Sequence, residues 1–210
     1  MSKNIYLVIG AISSGKSTVS RTIIQMFTSE EKPVFVSSDD LKKRFYDVEV
    51  NETNGGYRAS DELFYFYLEY LLDHNIDNLV IEFCPMRIGK IKPLMKLLKK
   101  YNVEFTSLLV STENAEINIE RNKKRMASNP NKYDIVSDDK VLKSYNKFME
   151  YVPLFIDASK IAYLIDTTEG AKAAVKIDNT ENTIGIIDSN LSKLGWIQRI
   201  IDRYIEKEQK

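Results

Sequence analysis

Apolar and polar residues follow two periods along this chain. Ile5-Tyr6-Leu7-Val8-Ile9 is an unbroken apolar run, as expected of a strand buried on both faces. From Thr18 to Phe27 the spacing becomes helical, through Val19, Thr22, Ile23 and Met26. Further apolar runs at 33–38, 78–84, 104–111 and 161–166 predict four more strands. Helical patterns lie between them. One is short, Leu41 to Tyr46. An aromatic-rich one is capped by Ser60 and runs from Asp61 to about Asp73, with Leu63, Phe64, Tyr67, Leu68 and Leu71 on one side. An amphipathic one covers Ile88 to Tyr101, its lysines reading as a solvated face. Two more begin at Thr112-Glu113 and at Ser137-Asp138-Asp139. Polar loops separate them at Asp47 to Arg58 and Met126 to Val136. Such alternation predicts an α/β fold with a five-stranded parallel sheet, helices on both faces and right-handed crossovers.

The tail breaks the alternation. Ala173 to Ile177 and Thr183 to Asp188 read as a hairpin. A final helix, Asn190 to Glu206, carries Trp196 on an apolar face with Leu191, Leu194, Ile197, Ile200, Ile201 and Tyr204. The expected division is a core over 1–168, with a lid at about 121–136, and a hairpin plus Trp-bearing helix over 169–210.

The first strand-to-helix junction carries the chemistry. Gly10-Ala11-Ile12-Ser13-Ser14-Gly15-Lys16-Ser17-Thr18 fits G-x-x-x-x-G-K-[ST], a phosphate-binding loop. Amides at the start of a helix have no helical acceptor and converge on an anion, reinforced by the helix dipole. In this reading the whole stretch binds ATP, Lys16 reaches the β- and γ-phosphates, and Ser17 holds Mg²⁺.

Ligands in parallel sheets collect at the carboxyl ends of the strands, where Gly10, Asp39, Glu82 and Thr112 fall. Asp39 and Asp40 follow the second strand. A carboxylate there can take the proton of an attacking hydroxyl, or the pair can cap the next helix. Glu82 interrupts an apolar strand, which is costly unless it meets a polar site. It reads as a metal or substrate group, with a buried ion pair as the alternative. Arg121 and Arg125 share a helix face, suited either to a lid over ATP or to surface pairing with Glu116 and Glu120. Arg44, Arg58, Arg87 and Lys132 are further basic candidates beside the site. His74 reads as a surface turn residue and Cys84 as a small buried apolar group.

Composition narrows the partners. Lys plus Arg and Asp plus Glu are both 30 among 210 residues, so the net charge is zero. No broad field draws the chain to nucleic acid or membrane. A single cysteine excludes an internal disulfide and suits a reducing cytoplasm. No apolar run approaches the roughly 18 residues of a membrane span, and no signal peptide precedes the first strand.

These motifs together resemble the small P-loop kinases of the zeta toxin family and its relatives. The likeness rests on Gly10 to Thr18, Ser37-Ser38-Asp39-Asp40-Leu41, Asn78-Leu79-Val80-Ile81-Glu82, the arginines at 121 and 125, Tyr145 to Pro153, and Leu164-Ile165-Asp166. The tail is similar to that of non-toxin, zeta-like members. Polynucleotide 5′-hydroxyl kinases are also similar, around Glu120 to Arg125 and Tyr145 to Tyr151. The resemblance implies a three-layer P-loop NTPase fold. It also implies Lys16 on phosphate, Asp39 as base, Glu82 on substrate or metal, and Arg121 and Arg125 clamping phosphates. Asp40, Arg44, Arg58 and Arg87 are expected to contact the acceptor. Three departures stand out. Ser13 and Lys42 replace a common Gly and Arg, and the His-Pro of zeta toxins is missing after the second strand.

The expectation is therefore an ATP- and Mg²⁺-dependent kinase acting on a small-molecule hydroxyl, such as a nucleotide-linked sugar. Nucleic acid is the less favoured acceptor, no membrane partner is expected, and an antitoxin-type partner is left open. A slowly hydrolysing ATP-binding switch is the competing class.

Overall fold

A computed structural model of the chain describes residues 4–45, 56–128 and 136–208, with the side chains of 42–45, 56–60, 193 and 207–208 set aside. Its strands are β1 (Asn4–Gly10), β2 (Val34–Ser37), β3 (Asn78–Phe83), β4 (Thr106–Ser111), β5 (Ile161–Asp166), β6 (Lys172–Asp178) and β7 (Thr183–Ile186). Its helices are α1 (Lys16–Met26), α2 (Ser38–Phe45), α3 (Gly56–Asp73), α4 (Ile88–Lys100), α5 (Ala115–Ser128), α6 (Asp138–Ala158) and α7 (Gly195–Glu208).

One sheet holds all seven strands, in the order β2-β3-β1-β4-β5-β6-β7. The first five are parallel, as the alternation predicts. The hairpin does not stand apart from them. β6 pairs antiparallel with β5, and β7 with β6, so the sheet has seven strands rather than five. Ala174, Val175 and Ile177 are buried by that pairing and join the main core.

Strand alternation separates two unequal cores. Ile5, Leu7 and Ile9 of β1, with Leu79, Ile81 and Phe83 of β3, face the larger, packed by α3, α4, α6 and α7. Trp196 lies there, 1% exposed, as its apolar face predicts. Val8, Val80, Leu108, Val110 and Ile165 face the smaller, where the helical cover comes from Val19, Ile23 and Ile24 of α1. On α1 the buried positions are Val19 and Ser20, while Thr22 and Met26 point to solvent.

Several boundaries differ from the sequence expectation. α3 starts at Gly56, so Ser60 lies within the helix rather than at its cap. α2 begins at Ser38, which places Asp39 and Asp40 in its first turn, where carboxylates favour the helix dipole. The last helix is split. A 3-10 turn, Leu191–Lys193, precedes α7, and the extended ψ of 133° at Leu194 breaks the run. Asp188 Oδ1 accepts from the amides of Asn190 and Leu191 and anchors that turn. Ser137 caps α6 as expected, accepting from the Lys140 amide. Lys132, Asn51 and Asn54 lie outside the described residues.

Candidate phosphate-transfer site

The loop between β1 and α1 is built by close approach. A Cβ on Gly10 would sit 2.4 Å from both the Ser14 hydroxyl and the Val110 carbonyl, so only glycine fits. Gly15 is left-handed, with φ 91°, and caps α1 without a side-chain bond. No acidic side chain occupies the first turn of α1. Its N-terminal amides and dipole are thus open to an anion. Ser13 is also left-handed, φ 59°. Residues other than glycine are strained in that region. Lys16 Nζ donates to the Ala11 carbonyl at 2.6 Å, which folds its side chain back over the loop.

Glu82 meets this loop. It shares a strand face with Val80, pointing at α1, and is buried. Ser17 Oγ donates to its Oε1 and Ser20 Oγ to its Oε2, both at 3.1 Å. Among the described residues its partners are therefore hydroxyls rather than the cation of a buried ion pair. Ser17 and Ser20 stand three apart on one side of α1, so both reach the same carboxylate. A hydroxyl and a carboxylate are hard oxygen donors of the kind Mg²⁺ takes along with phosphate and water. Among the described residues no group of three or more His, Cys, Asp or Glu lies together.

Sheet register places the aspartate. Ser37 of β2 and Val8 of β1 both pair with Glu82. Gly10 lies two residues beyond that level on β1, while Asp39, two residues past Ser37, has already entered the first turn of α2. At that level β2 and β1 are two strand spacings apart, about 10 Å. Asp39 is exposed, while Asp40 is half-buried.

Arg121 lies at the far side of the loop. Its guanidinium donates to the Thr167 hydroxyl at 3.2 Å, to the Thr168 carbonyl at 3.1 Å and to the Thr167 carbonyl. These bonds, rather than pairing with Glu116 or Glu120, fix its position. Arg125 donates to Asn122 Oδ1 at 2.7 Å, and Asn122 in turn donates to the Val136 carbonyl. Lys123 on the same helix pairs with Asp138 at 2.8 Å.

The remaining candidates are dispersed. Arg87, exposed before α4, approaches Asp61 at 3.5 Å, and Lys90 holds the same carboxylate at 2.7 Å. Beside them Tyr65 donates to the Lys90 carbonyl. Burial pushes its phenol well above the ordinary range, and the Asp61 charge adds to this. Arg44 and Arg58 fall in α2 and α3, with side chains outside the described set. Cys84 is half-buried rather than an enclosed apolar group, its Sγ 3.5 Å from Ser144 Oγ. His74 is exposed at the end of α3, as expected, its ring against Tyr70.

Four site residues carried no motif: Ser20, Ser144, Thr167 and Thr168. The two threonines follow β5 at the carboxyl edge, so the rule that ligands gather there would have flagged them. Ser20 and Ser144 offered no such signal.

With this geometry in place, sequence comparison assigns the family. Residues 5–150 match the AAA_33 AAA domain, and the chain belongs to that P-loop family. No curated protein sequence matches the chain. Among solved structures it is similar to a chain of the Pnkp1/Rnl/Hen1 RNA repair complex, with 18% identity and a TM-score of 0.55 over 74% of this chain and 47% of that one. It is similar to AvrRxo1-ORF1:ORF2 with ATP, with 12% identity and a TM-score of 0.66 over 91% and 63%. The PezAT toxin–antitoxin system of Streptococcus pneumoniae follows, with 15% identity and a TM-score of 0.58 over 98% and 87%. The chain thus spans about half to under two thirds of the first two. At these identities the shared property is the fold, which is that of zeta toxin-like and polynucleotide kinase-like small P-loop kinases. No described helix is long and apolar enough to cross a membrane.

Proposed function

We propose that this chain is an ATP-dependent kinase that transfers the γ-phosphate to an alcohol of a small molecule, with a nucleotide-linked sugar as one candidate. One observation carries the reading. Asp39 opens α2 directly after β2 and the phosphate loop follows β1, so both come just past the carboxyl ends of the strands that flank β3 and Glu82. Ligands of parallel sheets collect at that edge. The AAA_33 match and an ATP-bound structural neighbour support nucleotide binding.

In this mechanism the amides of residues 13 to 18 bind the β- and γ-phosphates, and Lys16 swings from the Ala11 carbonyl onto them. Asp39 accepts the proton of the acceptor hydroxyl. Arg121 and Arg125 close over the transferring group from α5. Ser17 and Glu82 fit Mg²⁺, which when bound offsets charge on the phosphates. Arg87, Arg44, Arg58 and Asp40 would contact the acceptor. A polynucleotide 5′-hydroxyl acceptor is the second reading, favoured by Phe66 and Tyr70, exposed side by side on α3.

The test is γ-labelled ATP offered with sugar nucleotides, nucleosides, and 5′-hydroxyl DNA and RNA oligomers. The expected result is labelling within the small-molecule panels, lowered about 10²–10⁴-fold in Asp39→Asn and far less in Asp40→Asn. Asp39-dependent labelling of oligomers alone selects the second reading. Release of phosphate to water alone identifies a hydrolysing switch.

A further inference from the structure

The left-handed turn at Ser13 is a conformation that a residue with a side chain abandons unless its surroundings hold it. Within the loop the Ser14 amide reaches the Ala11 carbonyl at 3.3 Å, and Lys16 Nζ donates to the same carbonyl at 2.6 Å, a bond the lysine gives up when it turns to phosphate. Two bonds from outside bracket Ser13. Before it, the Ile12 amide donates to Ser144 Oγ at 2.9 Å. After it, Thr167 Oγ1 lies 2.7 Å from the Ser14 carbonyl. Both outside residues are buried, Ser144 in α6 and Thr167 just past β5.

We propose that Ser144 and Thr167 are positioning residues that hold the phosphate-binding loop in the shape that gathers its amides on a polyphosphate. The inference rests on reading that loop as an ATP site. Thr167 acts in three ways. Its hydroxyl proton lies within reach of the Ser14 carbonyl and of the Ser111 carbonyl at 3.0 Å. Its oxygen accepts from Arg121 at 3.2 Å. Its side chain abuts Gly15, where an added Cβ would lie 3.3 Å away. One threonine therefore joins the loop, the end of β4 and the arginine of α5. Ser144 does the corresponding work on the other flank. Its hydroxyl accepts from Ile12 and keeps its own proton available for Cys84 Sγ. Neither residue need touch the nucleotide. Without them Ser13 relaxes, the amides of residues 13 to 17 diverge, and ATP binds more weakly even though every phosphate-binding group is still present.

The experiment compares the full chain with Ser144→Ala, Thr167→Val, Thr167→Ser, Ser13→Gly and the double variant Ser13→Gly/Thr167→Val. Binding of ATP–Mg²⁺ is followed by titration calorimetry, with thermal melts alongside. Ser144→Ala and Thr167→Val should each weaken binding about tenfold, the scale of one hydrogen bond. Thr167→Ser, which retains the hydroxyl, should stay within about twofold of wild type. Glycine tolerates the left-handed turn unaided. The Thr167→Val penalty should therefore fall by half or more in the Ser13→Gly background. Equal ATP affinity in wild type, Ser144→Ala and Thr167→Val overturns the inference, as does Thr167→Ser binding as weakly as Thr167→Val. Hydrogen exchange at residues 11 to 15 without nucleotide separates this inference from the functional reading. If wild type fails to bind ATP, the kinase reading falls. Faster loop exchange in both hydroxyl-deleted variants then still upholds the positioning role, and unchanged exchange overturns it.

Discussion

Replacing Gly10 with alanine probes the closest backbone contact in the site. The new methyl would meet two oxygens at 2.4 Å. The Ser14 hydroxyl can swing away by rotation about its own bond. The Val110 carbonyl cannot. Gly10 pairs with Val110 across β1 and β4, and Val110 pairs with Ile165 on the other side. Retreat of that carbonyl would strain two ladders at once. Overpacking of a buried site costs about 1–3 kcal/mol, and a clash with fixed backbone belongs at the upper end. At this chain length each kcal/mol moves the melting temperature by about 2–4 °C. Gly10→Ala should therefore melt about 6–12 °C below wild type by circular dichroism. Gly89 supplies the opposite control. It lies exposed in α4 with nothing within 4 Å of an added Cβ. There alanine gains about 0.5–1 kcal/mol from lower backbone entropy, raising the melting temperature by about 1–4 °C. A Gly10→Ala protein that melts within about 2 °C of wild type would refute the claim that the two strands fix this junction.

Two further outcomes are expected. Lys16→Ala should lower ATP affinity measurably by calorimetry while the melting temperature without nucleotide stays within about 2 °C of wild type, because the bond it forfeits among the described residues is to a carbonyl of the same loop. Arg121→Ala should lower both stability and turnover, since it strips donors from two carbonyls beside the loop. The buried partner groups left behind cost about 1–3 kcal/mol in melting experiments, whereas a purely exposed pair would cost about 0–1 kcal/mol.

The core of the site was legible because its signals are local. The loop motif, the strand before it and the helix after it are contiguous. Glu82 stood out because a carboxylate breaks the apolar run Leu79-Val80-Ile81. What it meets was not legible, since Ser17 and Ser20 are 65 and 62 residues away and serines are common. Ser144 and Thr167 are further still, 132 and 153 residues from their loop partners. Arg121 shows the limit of face-sharing arguments. Its spacing from Arg125 was visible, but its partners lie 46 and 47 residues downstream. The hairpin was visible as two strands and a turn. That it would extend the sheet depended on β5 offering an open edge, which no local pattern records. The exposure of Phe66 and Tyr70 was also missed, because helical spacing identified the buried side of α3 and passed over the opposite one.

The two sheet faces bear very different loads. Four long helices seal one side, while α1 grips the other through Val19, Ile23 and Ile24. The helix whose first turn follows the phosphate-binding motif thus has three apolar anchors in the smaller core. Its opening need not involve global unfolding. A polyphosphate seated on its first turn would add to the few anchors α1 has, so occupancy should slow its local opening far more than that of α4 or α6. In that sense a bound polyphosphate would complete the thinner layer of the molecule, and its loss would return this layer to its loosest state while the opposite face stays closed.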